Sequence, residues 1–208
     1  MRPVLLLIAT VALAGLASAG CGQRSEPTGE LEQPYPVTVQ GADDQPVALE
    51  ARPERIVALD AGSAELLDAL GAGKRLVGAP AGVRLSDKRK VPEAVKANGQ
   101  IDVARVAKLK PDLIVAAADT DPLDVAQAER RTRATVYVQP SRSVADVERA
   151  VLELGFLIGQ PVEARQLAGS IERSLAETES RLEGVEPVST FVDQGFFVTA
   201  SDRSLLGD

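Results

Sequence analysis

PVEARQLAGSIERSLAETESRLEG occupies residues 161–184, and the spacing of its apolar residues decides how the chain is read. Leu167, Ile171, Leu175, Thr178 and Leu182 recur at steps of three and four, which puts them on one narrow stripe of an α-helix amid Glu, Arg and Gln. Pro161 suits a first helical position, where its missing N–H costs nothing, and Gly184 suits the stop. At about 1.5 Å per residue, about 22 residues extend about 33 Å, roughly the width of a small domain. Such a helix either bridges two lobes or lies along the surface of one.

Upstream, from Arg52, short apolar runs alternate with helical periods, the pattern of βαβ units around a parallel sheet. Strands are expected at 56–59, 76–78, 113–117 and 136–138, each apolar through most of its length, as a strand covered on both faces should be. Ser63 is placed to cap a helix carrying Leu66, Leu67 and Leu70 and stopped by Gly71. Val103, Val106 and Leu109 form a short stripe ended by Pro111, and residues 122–133 form a crossover helix. Ser143 caps a helix with Val147, Val151, Leu154 and Ile158 on one face, closed by Gly159. Earlier still, 36–40 and 46–50 alternate apolar and polar residues around turn chemistry at 41–45, a hairpin. Beyond the long helix, 188–192 and 196–198 read as two further strands.

Arg2 precedes an apolar run, 4–17, that ends in Ala17, Ser18, Ala19 and Gly20, the pattern of an export signal over residues 1–20. The run is short for a membrane span. Cys21 follows at once, and small residues leading into Cys after a signal run resemble a bacterial lipobox, with Ser18 where that motif usually has Leu. The resemblance implies a diacylated thiol at a mature N-terminus, a stable anchor because it carries more than one chain. Residues 21–35 then form a polar, Gly- and Pro-containing tether.

The 208 residues carry 23 Lys and Arg against 30 Asp and Glu, a net charge of −7, with no His, no Trp and one Cys. Without His, Ser-His-Asp, Cys-His and His-based zinc chemistry are all excluded. One Cys forms no internal disulfide, and the acidic balance with few aromatics argues against nucleic acid as a partner. No acid pair or metal-ligand spacing demands an enzyme, and no cofactor is expected. Gly71-Ala-Gly-Lys74 lacks the first glycine and the final Ser or Thr of a phosphate loop. Asp119, Asp121 and Asp124 lack the glycine of a calcium loop and read better as caps of the helix opened by Pro122.

Three stretches together, Pro53-Glu-Arg-Ile-Val-Ala-Leu, Ser63-Ala-Glu-Leu-Leu-Asp-Ala-Leu-Gly-Ala-Gly-Lys-Arg-Leu-Val-Gly78 and Leu109-Lys-Pro-Asp-Leu-Ile-Val115, resemble the substrate-binding proteins of ABC importers for ferric siderophores and corrinoids. The resemblance covers about residues 36–208. It implies an α/β fold of two lobes: a parallel-sheet N-terminal lobe at 36–160, a bridging helix at 161–184, and the start of an incomplete second α/β lobe at 185–208. It implies a lipid-anchored exported protein that binds an iron chelate or corrinoid and delivers it to a permease with its ATPase. The second reading is a degenerate surface-anchored interaction protein without transport. Histidine-rich zinc and manganese binders share the architecture, but their site cannot be built here.

In parallel sheets ligands lie outside the carboxyl ends of the strands, which selects the loops 60–63, 79–84, 118–121 and 139–142. From these come Asp60, Gly62, Ser63, Arg84, Asp119 and Arg142 as ligand-binding candidates. The two arginines suit an anionic chelate because a guanidinium offers a planar fork to paired oxygens. Phe197 is expected to add an apolar wall from the second lobe. The resemblance also implies an acidic docking residue before the Leu109 stretch, but Ala104 stands at that position, leaving Asp102 or Glu93 as substitutes.

Overall fold

The computed structural model describes residues 33–186; the export signal, Cys21, the two strands expected after residue 187 and Phe197 lie outside them. The described part opens with the expected hairpin. β1 (Val37–Gln40) pairs antiparallel with β2 (Pro46–Leu49), Val37 opposite Leu49 and Gln40 opposite Pro46. Val37, Val39, Val47 and Leu49 are buried and their neighbours exposed, as the period of two requires.

There follow β3 (Ile56–Ala58), α1 (Ala61–Ala69), β4 (Leu76–Pro80), β5 (Glu93–Val95), α2 (Val103–Leu109), β6 (Leu113–Ala117), α3 (Pro122–Thr132), β7 (Thr135–Gln139), α4 (Val144–Leu157) and α5 (Pro161–Leu182). Five strands form one parallel sheet in the order β5-β4-β3-β6-β7. Winding proceeds outward from β3 to β5, then returns to the other side of β3, so the order reverses between β3 and β6. Alternate strand residues supply two cores. Ile56, Ala58, Val115 and Tyr137 pack with the hairpin, α1, α4 and α5 on one face. Val57, Ile114 and Ala116 pack with α2 and α3 on the other.

The chain departs from the sequence reading in two places. A fifth strand, β5, was not expected: three residues on a sheet edge give no periodicity, and the 81–92 connection before it carries no helix. The cap of α1 is Asp60, not Ser63. Asp60 has the extended backbone a cap needs (φ −138°, ψ 163°) and its side chain accepts the Ser63 N–H at 2.8 Å, which leaves Ser63 inside the first turn. Elsewhere the helix signals hold. Ser143 accepts from Asp146 N–H, Asp121 from Leu123 N–H, and Gly71 and Gly159 stop their helices at φ 77° and 71°.

The three stretches that carry the family resemblance interlock below the sheet. The Asp112 carboxylate accepts the backbone N–H groups of Glu54 at 2.7 Å and Arg55 at 3.0 Å. In return the Arg55 guanidinium donates to the Leu109 carbonyl at 2.6 Å and the Lys110 carbonyl at 3.1 Å, closing the end of α2. Arg75 Nη1 donates to the carbonyls of Pro53 at 2.8 Å and Ile158 at 2.9 Å, so it joins the entry to β3 with the end of α4.

α5 is a single unbroken helix of 22 residues. Its first half is held close to α4: a Cβ added at Gly155 would lie 2.2 Å from the Ala164 Cβ, so only glycine permits this approach. Ala164 and Ala168 are buried there, and Leu167 and Ile171 rest against the core. From Glu172 onward every described residue except the half-buried Leu175 is exposed.

The hairpin is fastened to α4 by polar groups. Arg149 bridges Asp44 at 3.3 Å and Asp146 at 2.9 Å. The buried Tyr137 hydroxyl donates to Glu153 at 3.1 Å, and the Gln40 N–H donates to the same carboxylate. Burial pushes the Glu153 carboxyl above the ordinary range despite these donors and Arg149.

Two outcomes follow from these contacts. Asp112→Ala removes a charged acceptor from two backbone N–H groups and should lower unfolding stability by about 2–4 kcal/mol in urea titrations, with Asp112→Asn recovering part of it. Because the Glu153 proton is held more tightly in the folded state, wild-type stability falls as pH rises past the ordinary Glu range. Glu153→Gln keeps the acceptor for Tyr137, so its Tm should exceed that of wild type by about 1–3 °C at neutral pH, and the gain should vanish by about pH 4.

Candidate functional site

The reversal between β3 and β6 places the loops after β4, β3, β6 and β7 side by side, in that order, along the carboxyl edge of the sheet. The edge is firm. The Leu59 N–H continues the β3–β6 ladder to the Val115 carbonyl at 2.9 Å. Both Asp60 carboxylate oxygens are engaged by Ser63, Oδ1 by its N–H and Oδ2 by its hydroxyl. Ser63 is fully buried, and its oxygen also accepts from Gln139 Nε2 at the end of β7. This chain of side chains passes over the end of β6 and ties the loop after β3 to the loop after β7.

The candidates therefore divide. Asp60 and Ser63 build the ledge, and their polar atoms are turned on one another. Gly62 is exposed on the first turn of α1, and an added Cβ there would meet only Asp60 Oδ1, at 3.4 Å. Arg84 is exposed beside the buried Leu85 in the 81–92 connection, and Asp119 is exposed in the turn that Thr120 N–H closes onto the Ala117 carbonyl. Arg142 is 72% exposed, its Nε 3.7 Å from Asp146, whose Oδ2 also accepts the Arg142 N–H at 3.0 Å. Asp60 and Asp121 serve as caps, which leaves Arg84, Asp119 and Arg142 as the other exposed charges of the four loops, the last of them paired with Asp146.

Arg142 also borders a groove of about 520 Å³ between the hairpin turn, the outer edge of β7 and α3, lined by Val47, Val125, Val136, Val138 and Pro140 among others. Among the described residues no group of three or more acids or Cys could hold a metal ion, and no helix is long and apolar enough to cross a membrane. The role of Gln139 escaped the sequence reading. Its signal was a single amide following the apolar and aromatic run Val136-Tyr-Val138 at the end of β7, but the partner lies 76 positions away.

An open ledge at the carboxyl ends of a doubly wound parallel sheet, with a long helix leaving the same body, defines a class of binding lobe. Residues 56–208 match the family described as periplasmic binding protein, and the chain belongs to it. It is 26% identical over 210 residues to an uncharacterized ABC transporter substrate-binding lipoprotein, YvrC, of Bacillus subtilis, covering 93% of this chain and 66% of that one. The iron uptake ABC transporter substrate-binding protein PiuA of Streptococcus pneumoniae superposes with a TM-score of 0.64 at 25% identity, covering 74% of this chain and 55% of that one. The siderophore-binding protein BauB, solved with ferric iron and two molecules of acinetobactin, gives 0.63 at 21% identity, covering 82% and 63%. The chain thus spans less than two thirds of the length of each of these relatives.

Removing the Ser63 hydroxyl leaves the Gln139 amide without its acceptor. Ser63→Ala should cost about 1–3 kcal/mol in urea unfolding, whereas Arg142→Ala, on the exposed rim, should stay within about 0.5 kcal/mol of wild type.

Proposed function

We propose that this chain is the extracytoplasmic, lipid-anchored binding component of an ABC importer, which takes a ferric siderophore or a related iron chelate or corrinoid and presents it to a permease with its ATPase. The observation that carries the reading is the open carboxyl edge of a reversing parallel sheet, in a chain of the periplasmic binding protein family whose helix α5 runs unbroken away from that lobe. PiuA and BauB, named for iron uptake and siderophore binding, supply the ligand class. No covalent step is involved.

In this reading Arg84 and Arg142 meet the anionic oxygens of the chelate, and the ledge built by Asp60, Gly62 and Ser63 gives them a fixed floor. Asp119 faces ligand hydroxyl or amine groups. α5 bridges to a second lobe, whose Phe197 closes an apolar wall over the ligand, and Cys21 carries the lipid. Docking to the permease falls to Glu93, exposed on edge strand β5, because Ala104 offers no charge and Asp102 caps α2 by accepting the Arg105 N–H at 2.9 Å.

Calorimetric titration with a ferric hydroxamate, a ferric catecholate, haem and cobalamin tests the reading. Because the ligand is held between two lobes and the second is expected to be incomplete, one of the four should bind only weakly, with a Kd no tighter than about 100 μM, and replacing both Arg84 and Arg142 by Ala should weaken it at least about tenfold. Affinity left unchanged by the double replacement rejects the assignment.

A further inference from the structure

The N-terminal end of the described fold is fastened to the last turn of α4. Gln33 donates from Nε2 to the Phe156 carbonyl at 2.6 Å, and the Tyr35 hydroxyl donates to the Leu157 carbonyl at 3.1 Å. On the same stretch of α4, Leu152 and Phe156 stand four residues apart on one helix face and are 42% and 41% exposed, whereas Leu154 and Leu157 are fully buried in the core. Val162, at the start of α5, is exposed as well. The chain thus shows two large apolar side chains to water beside the point where its N-terminal segment joins.

That segment is short. From Cys21 to Gln33 is 33 − 21 = 12 residues, rich in Gly, Pro and polar side chains. A chain of this length reaches at most about 43 Å, so an anchor at Cys21 keeps Gln33, and with it the end of α4, within that distance of whatever bears it.

We propose that Leu152 and Phe156 form a membrane-contact patch, seated at the boundary of headgroups and acyl chains in the bilayer that carries the Cys21 anchor. This rests on the lipid-anchored reading above. The partner is a lipid surface: apolar area on a helix face is what an interface takes up, and the short tether supplies the local concentration that two side chains alone could not. With 30 acids against 23 bases the protein has no general attraction to anionic headgroups. The contact is therefore apolar and exists for the attached protein only.

The composition provides its own test. There is no Trp, so Phe156→Trp is a sole reporter, and Cys21 is the sole thiol. The chain from Cys21 onward, its folding checked by circular dichroism, is coupled through that thiol to phosphatidylcholine vesicles bearing a maleimide lipid. On attachment the indole emission should move to the blue, and its quenching by acrylamide should fall at least twofold. Leu123→Trp reports from α3 on the other face of the sheet, where Leu123 is 71% exposed, and should remain as quenchable as in the detached protein. Unchanged emission from position 156 on attachment overturns the proposal. So does an equal change at position 123, which would mean general adsorption, or an indole at position 156 already shielded before coupling, which would mean that protein covers the patch. Maleimide coupling bypasses cellular acylation, so this result stands apart from the anchor itself, which labelled palmitate incorporation at Cys21 tests in cells.

Discussion

The cross-tie between Asp112 and Arg55 is the constraint on which the sheet depends. Parallel neighbours cannot be set in register by a tight turn: Ile56 lies opposite Leu113, 113 − 56 = 57 positions later. Closing so long a loop costs entropy and by itself selects no register. Asp112 accepts the N–H groups of Glu54 and Arg55, Arg55 returns its guanidinium to the carbonyls of Leu109 and Lys110, and both segments lead directly into their strands. Both ends of the tie are charged, which makes each hydrogen bond stronger than a neutral one. Once it forms, β3 and β6 have one alignment, and the point where the strand order reverses is fixed.

Everything at the opposite edge inherits that alignment. β3 ends at Ala58 opposite Val115, while β6 and β7 run on and finish level, Ala117 opposite Gln139, so Gln139 at the end of β7 reaches back over to Ser63. Polar groups that could have met a ligand are used to hold the ledge still. What remains exposed is a pair of arginines and one aspartate at the rim. The same economy of contact governs α5: Gly155 and Ala164 bring its first half against α4, and the second half leaves the body with its stripe exposed.

Much of this was legible in the residues. The hairpin, four of the five strands, the helix stops at Gly71 and Gly159 and the continuous helix from Pro161 all followed from apolar period and from capping chemistry, which act within a few residues of one another. β5 was not legible, because three residues at a sheet edge carry no period and the 81–92 connection before them carries no helix. Which residue caps α1 was not legible either: Asp60 and Ser63 both have capping side chains, and only the backbone angle at Asp60 decides between them.

The sequence by itself determined the fold class, the absence of histidine chemistry and the order of the elements, since each depends on composition or on local spacing. The tertiary structure alone decided which side chains meet. Ser63 and Gln139 are 76 positions apart, Arg55 and Leu109 54 apart, and Gln33 and Phe156 123 apart. No periodicity relates such residues, because their distance is set by how strands stack across the sheet and not by how the chain runs along them.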